Sequence, residues 1–138
     1  MFTKPTAGWS KLKIKDFSFP VSYTTDVPND LIKAISIALK EEITTVVTID
    51  GEDKGMCKII LNMEDNFISI LCSDKNLSCR VEQEFDNVSI IDFASEVLND
   101  LIENQKEWLE WALDEDSSYS FDLEILKNAI EEYKDTHK

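Results

Sequence analysis

The chain has 138 residues, of which 43% are hydrophobic and 9% aromatic, so we expect one globular domain spanning residues 1–138. Three Gly and three Pro exclude collagen-like and low-complexity chains, and no apolar run approaches the roughly 20 residues that span a bilayer. Acidic side chains outnumber basic ones by 28 to 14, giving a formal net charge of −14. Because the N-terminus also lacks the apolar stretch of a secretory signal, we expect a cytoplasmic protein.

The negative charge is concentrated toward the C-terminal end. Residues 1–40 carry six basic and three acidic side chains, residues 41–80 carry four and eight, and residues 81–138 carry four and 17. Such a field repels nucleic acid and anionic membranes and speeds association with a basic protein. We therefore expect a basic protein partner and neither nucleic acid nor a membrane. Solubility alone is the alternative explanation of the charge.

The first forty residues predict two strands and a helix. Residues 9–16 alternate between polar and apolar side chains, which is typical of a strand with one solvated face, and residues 17–24 continue the pattern. Pro20 favours an edge strand or a bulge, because it has no N–H to donate to a ladder. Asp26 then predicts a capped helix start, and the helix is expected to run to about Lys40.

The middle of the chain predicts a meander of antiparallel strands separated by polar turns. The strand segments are residues 43–50, 56–63, 67–73 and 78–85. If four-residue loops join the last three, Ile59 lies opposite Ile70, and Ile70 opposite Val81.

The cysteines fall in one row across these strands: Cys57, Cys72 and Cys79. Their odd number and apolar surroundings predict small buried side chains in a reducing compartment. A bridge between Cys72 and Cys79 is the open alternative.

The last third of the chain predicts helices. Ser89 followed by Asp92 resembles a capping box, and helical spacing of apolar residues continues to about Leu113, so we expect one long helix of roughly 24 residues. Residues 121–133 predict a final helix that returns against the first. The apolar positions of the long helix are Ile90, Ile91, Ala94, Val97, Leu98, Leu101, Ile102, Trp108 and Leu109.

The predicted elements combine into an α+β fold. We expect an antiparallel sheet of about five to six strands, covered on one face by three helices, in the order ββα-ββββ-αα.

The sequence has no pattern typical of an enzyme or a metal site. Its single His is His137 near the C-terminus, and it contains neither a nucleophile–base motif nor a glycine-rich phosphate loop. A structural zinc site needs about four ligands, and no Cys-x-x-Cys pair is present. We therefore expect no catalytic residues, no cofactor and no metal.

The strongest candidate site is the segment that runs from Glu107 to Tyr119. Trp108 falls on the core stripe, whereas Trp111 falls on the wetter side, near acids three or four positions away. An exposed Trp with an acidic rim would suit the Lys and Arg side chains of a protein partner. The alternative is that Trp111 packs beneath the last helix and the acids are only solvated. The predicted partner-binding residues are Glu107, Glu110, Trp111, Asp114, Glu115, Asp116 and Tyr119.

The segments Gly8–Leu12, Val21–Tyr23 and Thr25–Leu31 look like the opening of uncharacterised bacterial proteins of this size. As a whole, the chain resembles the small acidic immunity proteins of bacterial toxin–immunity systems, including contact-dependent growth inhibition. The resemblance implies an α+β domain that binds a cognate toxin with a basic surface, such as a nuclease, and blocks it.

Two other hypotheses stay open. One is an acidic mimic of nucleic acid that inhibits a DNA-binding effector, and the other is a small metabolic or regulatory protein. The long amphipathic helix could equally build a homodimer, so the sequence leaves the oligomeric state undecided.

Overall fold

The computed structural model describes residues 1–74, 80–111 and 119–137, which form an α+β fold in the predicted order. The strands divide into two antiparallel sheets instead of one. The smaller is a hairpin of β1 (Trp9–Ile14) and β2 (Phe17–Ser22), and the larger has the order β3-β4-β5-β6. Its strands are β3 (Thr45–Asp50), β4 (Met56–Asn62), β5 (Phe67–Ser73) and β6 (Arg80–Phe85).

The separation of the two sheets agrees with the chemistry of β2. Pro20 lies opposite Lys11 in the hairpin and offers no N–H to a strand on its other side. The hairpin instead packs over the inner face of the larger sheet. The Phe19 ring lies against Gly51 just after β3, and Phe17 makes an edge contact with Phe85, with ring centroids 6.3 Å apart.

Two of the predicted helix starts are confirmed by their caps. Helix α1 (Val27–Glu41) begins where the Asp26 carboxylate accepts from the Asn29 N–H at 3.4 Å. Helix α2 (Ile90–Glu103) begins where Ser89 Oγ accepts from the Asp92 N–H at 3.2 Å. The final helix, α4 (Leu123–Thr136), packs against α1, as predicted.

The single long helix predicted to end near Leu113 is wrong. The helix breaks at Asn104, whose φ of −115° and ψ of 34° are not helical, and a short helix α3 (Gln105–Glu110) follows. Asn is a poor helix former because its side chain competes for backbone hydrogen bonds. The apolar periodicity of the sequence continues across Asn104 and therefore does not reveal the break. Leu113, the predicted end of the helix, lies outside the described residues.

The predicted register is confirmed between β4 and β5 and wrong between β5 and β6. Ile59 lies opposite Ile70, and Cys57 opposite Cys72. Val81, however, lies opposite Cys72 instead of Ile70, because the connection from 74 to 79 is two residues longer than expected. Cys79 lies outside the described residues, and so does any bridge that it would form.

A slip of two residues keeps every side chain on its predicted face, whereas a slip of one would have inverted the strand. Glu82 and Glu84 are therefore exposed, while Phe85 is buried. Cys57 is a fully buried free thiol and Cys72 a partly buried one. The hydrogen bond between them, together with burial, raises the pKa of the Cys57 thiol.

The core lies between the inner face of the larger sheet, the hairpin and the helices. Its largest fully buried side chain is Trp108, which meets Phe2 edge-on at a centroid distance of 6.1 Å. Among the described residues, no helix is long and apolar enough to cross a membrane.

Candidate partner-binding surface

Trp111, predicted as an exposed anchor, is a core residue with only 2% of its surface exposed. Its ring meets Trp108 edge-on, with centroids 5.0 Å apart, and its side chain hydrogen-bonds Tyr119. The exposed anchor is therefore a wrong prediction. The two Trp residues are three positions apart on one helix and so share a face, and that face points inward.

Tyr119 fastens the start of the C-terminal segment to α1. Its hydroxyl donates to Asp26 Oδ1 at 2.8 Å, and the Ser120 carbonyl accepts from Asn29 Nδ2 at 3.1 Å. Burial, with the neighbouring Asp26 carboxylate, raises the pKa of the Tyr119 hydroxyl. Both observations give Tyr119 a structural role beside the cap of α1.

Of the other predicted site residues, the structure places two acids on the surface of α3. Glu110 is exposed, and Glu107 is half-buried with its carboxylate 3.4 Å from Lys4 Nζ. A hydrogen bond to its own backbone N–H, followed by the contact with Lys4, lowers the pKa of Glu107. The remaining three predicted residues lie outside the described residues: Asp114, Glu115 and Asp116.

Two large apolar side chains on α2 and α3 are exposed, although both belong to the apolar pattern of the predicted long helix. Ile102 is 52% exposed and Leu109 is 38% exposed. Each follows a buried residue of its own helix, Leu101 and Trp108, and a residue one position further lies about 100° around a helix. The sequence signal for their exposure was an apolar arc wider than one packed face needs.

The same two helices carry exposed acidic side chains. The acidic row consists of the exposed carboxylates of α2 and α3: Asp92, Glu96, Glu103 and Glu110. Residues 81–111 carry nine acidic side chains against one basic side chain, Lys106. We call Ile102, Leu109 and this acidic row the α2–α3 surface.

The α2–α3 surface combines two features of protein interfaces. Exposed aliphatic side chains can be desolvated by a partner, and the neighbouring carboxylates can attract its cations. In the described part of the chain, no group of three or more His, Cys, Asp or Glu side chains is arranged to hold a metal ion. Comparisons with protein-family models, curated proteins and solved structures find no match.

Proposed function

We propose that this protein is an immunity protein that binds and neutralises a cognate bacterial toxin with a basic surface, such as a nuclease domain. The observation that carries the proposal is the exposure of Ile102 and Leu109 beside an acidic row. Exposed aliphatic side chains beside acidic ones offer a partner both apolar surface to bury and charge to pair. The net charge of −14 favours a basic molecule in that place.

The two components of the α2–α3 surface would act on different steps of binding. The acidic row would speed encounter with the toxin and make the association rate depend on salt. Burial of Ile102 and Leu109 would slow dissociation, because each fully buried aliphatic side chain contributes about 1.5–3 kcal/mol. The toxin would be neutralised because the bound protein covers its cationic substrate groove.

The same surface separates this proposal from a mimic of nucleic acid. A mimic needs carboxylates at phosphate-like spacing and can bind several unrelated basic proteins through charge. Exposed aliphatic side chains add nothing to that kind of binding. Ile102 and Leu109 therefore favour one specific protein partner.

The test is rescue of growth by co-expression. The C-terminal domain of the large protein encoded directly upstream is expressed alone and together with this protein. We expect the domain to stop growth and this protein to restore it, whereas an unrelated acidic protein of similar charge does not. Continued killing, or an upstream domain that is harmless alone, would contradict the proposal.

Two variants then locate the binding surface. Ile102→Ala with Leu109→Ala should leave folding almost unchanged, since both side chains are exposed, and should raise the dissociation rate from the toxin. Glu103→Lys with Glu110→Lys should lower the association rate at low salt. The charge-matched control is Glu64→Lys with Glu131→Lys, two exposed acids on other elements. Equal effects of the two charge reversals would show that net charge, and not this surface, drives binding.

A further inference from the structure

A groove runs between α1 and β3, which is one of the two outer strands of the larger sheet. It encloses about 540 Å³. Residues 45–48 of β3 form one wall, and α1 contributes Asp30, Lys33, Ala34 and Ile37 to the other. The groove lies apart from the α2–α3 surface, on different elements.

The backbone of β3 offers unused hydrogen-bonding groups to this groove. The Gly51 N–H donates to the Gly55 carbonyl at 2.8 Å, which continues the β3–β4 ladder beyond the strand ends. Antiparallel pairs alternate between bonded and non-bonded positions, so Val47 and Ile49 bond to β4 while the N–H and C=O groups of Val46 and Thr48 face outward. Outside the β3–β4 ladder, no backbone hydrogen bond among the described residues uses these four groups.

Apart from the neighbouring helix α1, this edge lacks the usual protection against an added strand. Exposed edges normally carry charges, Pro or a bulge, but residues 45–49 read Thr-Val-Val-Thr-Ile, and Val46 is 50% exposed. The neighbouring Thr25 hydroxyl, at the head of the groove, is buried and has no hydrogen-bond partner among the described residues. The groove therefore presents polar groups that remain to be paired.

The charge at one end of the groove indicates which side chain would enter. Asp30 lines the groove together with Lys33, and Asp26 caps the same helix four positions earlier, on the same side of α1. Partial burial, followed by repulsion from Asp26, raises the pKa of Asp30. Lys33 opposes the shift only in part. A cation beside Asp30 would relieve the repulsion between the two carboxylates.

We propose that the groove between α1 and β3 binds an extended segment of a partner protein, which adds to β3 as a further strand and places a Lys or Arg side chain beside Asp30. The segment would exchange up to four backbone hydrogen bonds with Val46 and Thr48 and pack an apolar side chain near Ile37. Strand addition of this kind obtains affinity from the main chain and specificity from alternate side chains. The identity of the partner as a toxin rests on the proposed function, but the geometry of the groove does not.

The test begins with a phage-displayed library of random twelve-residue peptides, selected on the purified protein. We expect enrichment of peptides with β-branched residues and a Lys or Arg, and amide shifts at Val46 and Thr48 when a synthetic copy of a selected peptide is added. Thr48→Pro removes a donor that β4 does not use, so the protein should stay folded while peptide affinity falls about tenfold. Asp30→Lys should lower the affinity for the same peptides. This variant tests the proposal if Thr48→Pro does not fold.

Three results would overturn the proposal. They are a selection without enrichment, peptides that bind both variants as tightly as the wild type, and a wild-type dimer that Thr48→Pro dissociates, since that would make a second copy the occupant. Because the selection uses no toxin, its outcome is independent of growth rescue. A protein that binds peptides but fails to rescue would refute only the immunity role.

Discussion

The two outer strands of the larger sheet, β3 and β6, differ in how their free edges are protected against pairing with another strand. On β6 the exposed side chains include Glu82, Gln83 and Glu84, and such charges prevent another strand from pairing there. On β3 the first five residues carry no charge, Val46 is half exposed, and only the neighbouring helix α1 restricts access. The contrast indicates that β6 is built to remain unpaired, whereas β3 is built to admit a selected segment.

The position of α1 beside β3 follows from the short link between them. Glu42 ends α1 in the left-handed region, with a φ of 53°, and the chain turns back directly into β3. The Thr45 hydroxyl then donates to the Ala34 carbonyl at 2.9 Å, which fixes the strand alongside the helix. The width of the groove is therefore set by local contacts of the same two elements that line it.

The largest expected effect concerns the turn that sets the β3–β4 register. Gly55 has a φ of +96°, and a Cβ at this position would lie 2.0 Å from the Ser73 carbonyl oxygen. We expect Gly55→Ala to lower the free energy of unfolding by about 3 kcal/mol or more, measured by urea denaturation.

Gly51→Ala is the matched control for this turn. Its φ of −99° suits any residue, and the added Cβ would meet the side chain of Phe19 at 2.7 Å, which can move further than backbone can. A loss of about 1–2 kcal/mol is expected. Equal losses at the two glycines would show that the contact with Ser73 is not the decisive one.

The next prediction compares the buried and the exposed face of β3 by making the same substitution, Val→Ala, at two neighbouring positions. Val47 is 2% exposed and Val46 is 50% exposed. Val47→Ala should cost about 2 kcal/mol of unfolding free energy through lost burial and a cavity, whereas Val46→Ala should change it by about 0.5 kcal/mol or less. Comparable losses in urea denaturation would mean that Val46 is covered in the folded protein.

A third prediction converts the β6 edge into one that resembles β3. Glu82→Val with Glu84→Val removes the exposed charges from this edge, so the protein should associate through β6 and its sedimentation coefficient should rise with concentration. Glu64→Val with Glu131→Val removes the same charge elsewhere and should not produce this change. If both double variants associate alike, the loss of net charge is the cause.

Local patterns in the sequence were sufficient for the fold class and for one of the two predicted registers. The turn between β4 and β5 is short and polar, so Ile59 and Ile70 could be paired by counting. The connection after β5 and the break at Asn104 could not be found in this way, because neither interrupts the periodicity of its neighbours. The strands were also predicted to form a single sheet, because alternation of polar and apolar residues identifies strands but not which strands pair.

For the candidate site, the sequence identified the surface charge but not which large apolar side chains stay exposed. Glu107 and Glu110 reach the surface because charged side chains seldom do otherwise, but which aromatic or aliphatic residues stay outside depends on how much of the helix the core can cover. In the folded protein Trp111 is buried in the core, whereas Ile102 and Leu109 are exposed. The groove on β3 was not predictable at all, since it depends on which strand ends the sheet.

The smallest expected effect tests the electrostatics of the β3 groove, through the titration of Asp30 followed by NMR. Partial burial and Asp26 raise its pKa and Lys33 lowers it, so Asp26→Asn should lower the pKa and Lys33→Gln should raise it further. Asn preserves the cap of α1, which keeps the helix intact in the first variant. A pKa that is not raised, or one that Asp26→Asn leaves unchanged, would contradict this account of the groove.

The same shift has a defined sign in stability. A raised pKa means that the folded protein holds this proton more tightly than the unfolded chain does. The contribution of Asp30 is therefore fully present below the pKa of the unfolded chain, about 3.9, and is lost as the pH rises through the folded value. Asp30→Asn should remove this dependence, so the difference in unfolding free energy between variant and wild type should change only across that interval. A basic segment that binds beside Asp30 would therefore flatten this pH dependence, because its cation lowers the pKa of Asp30.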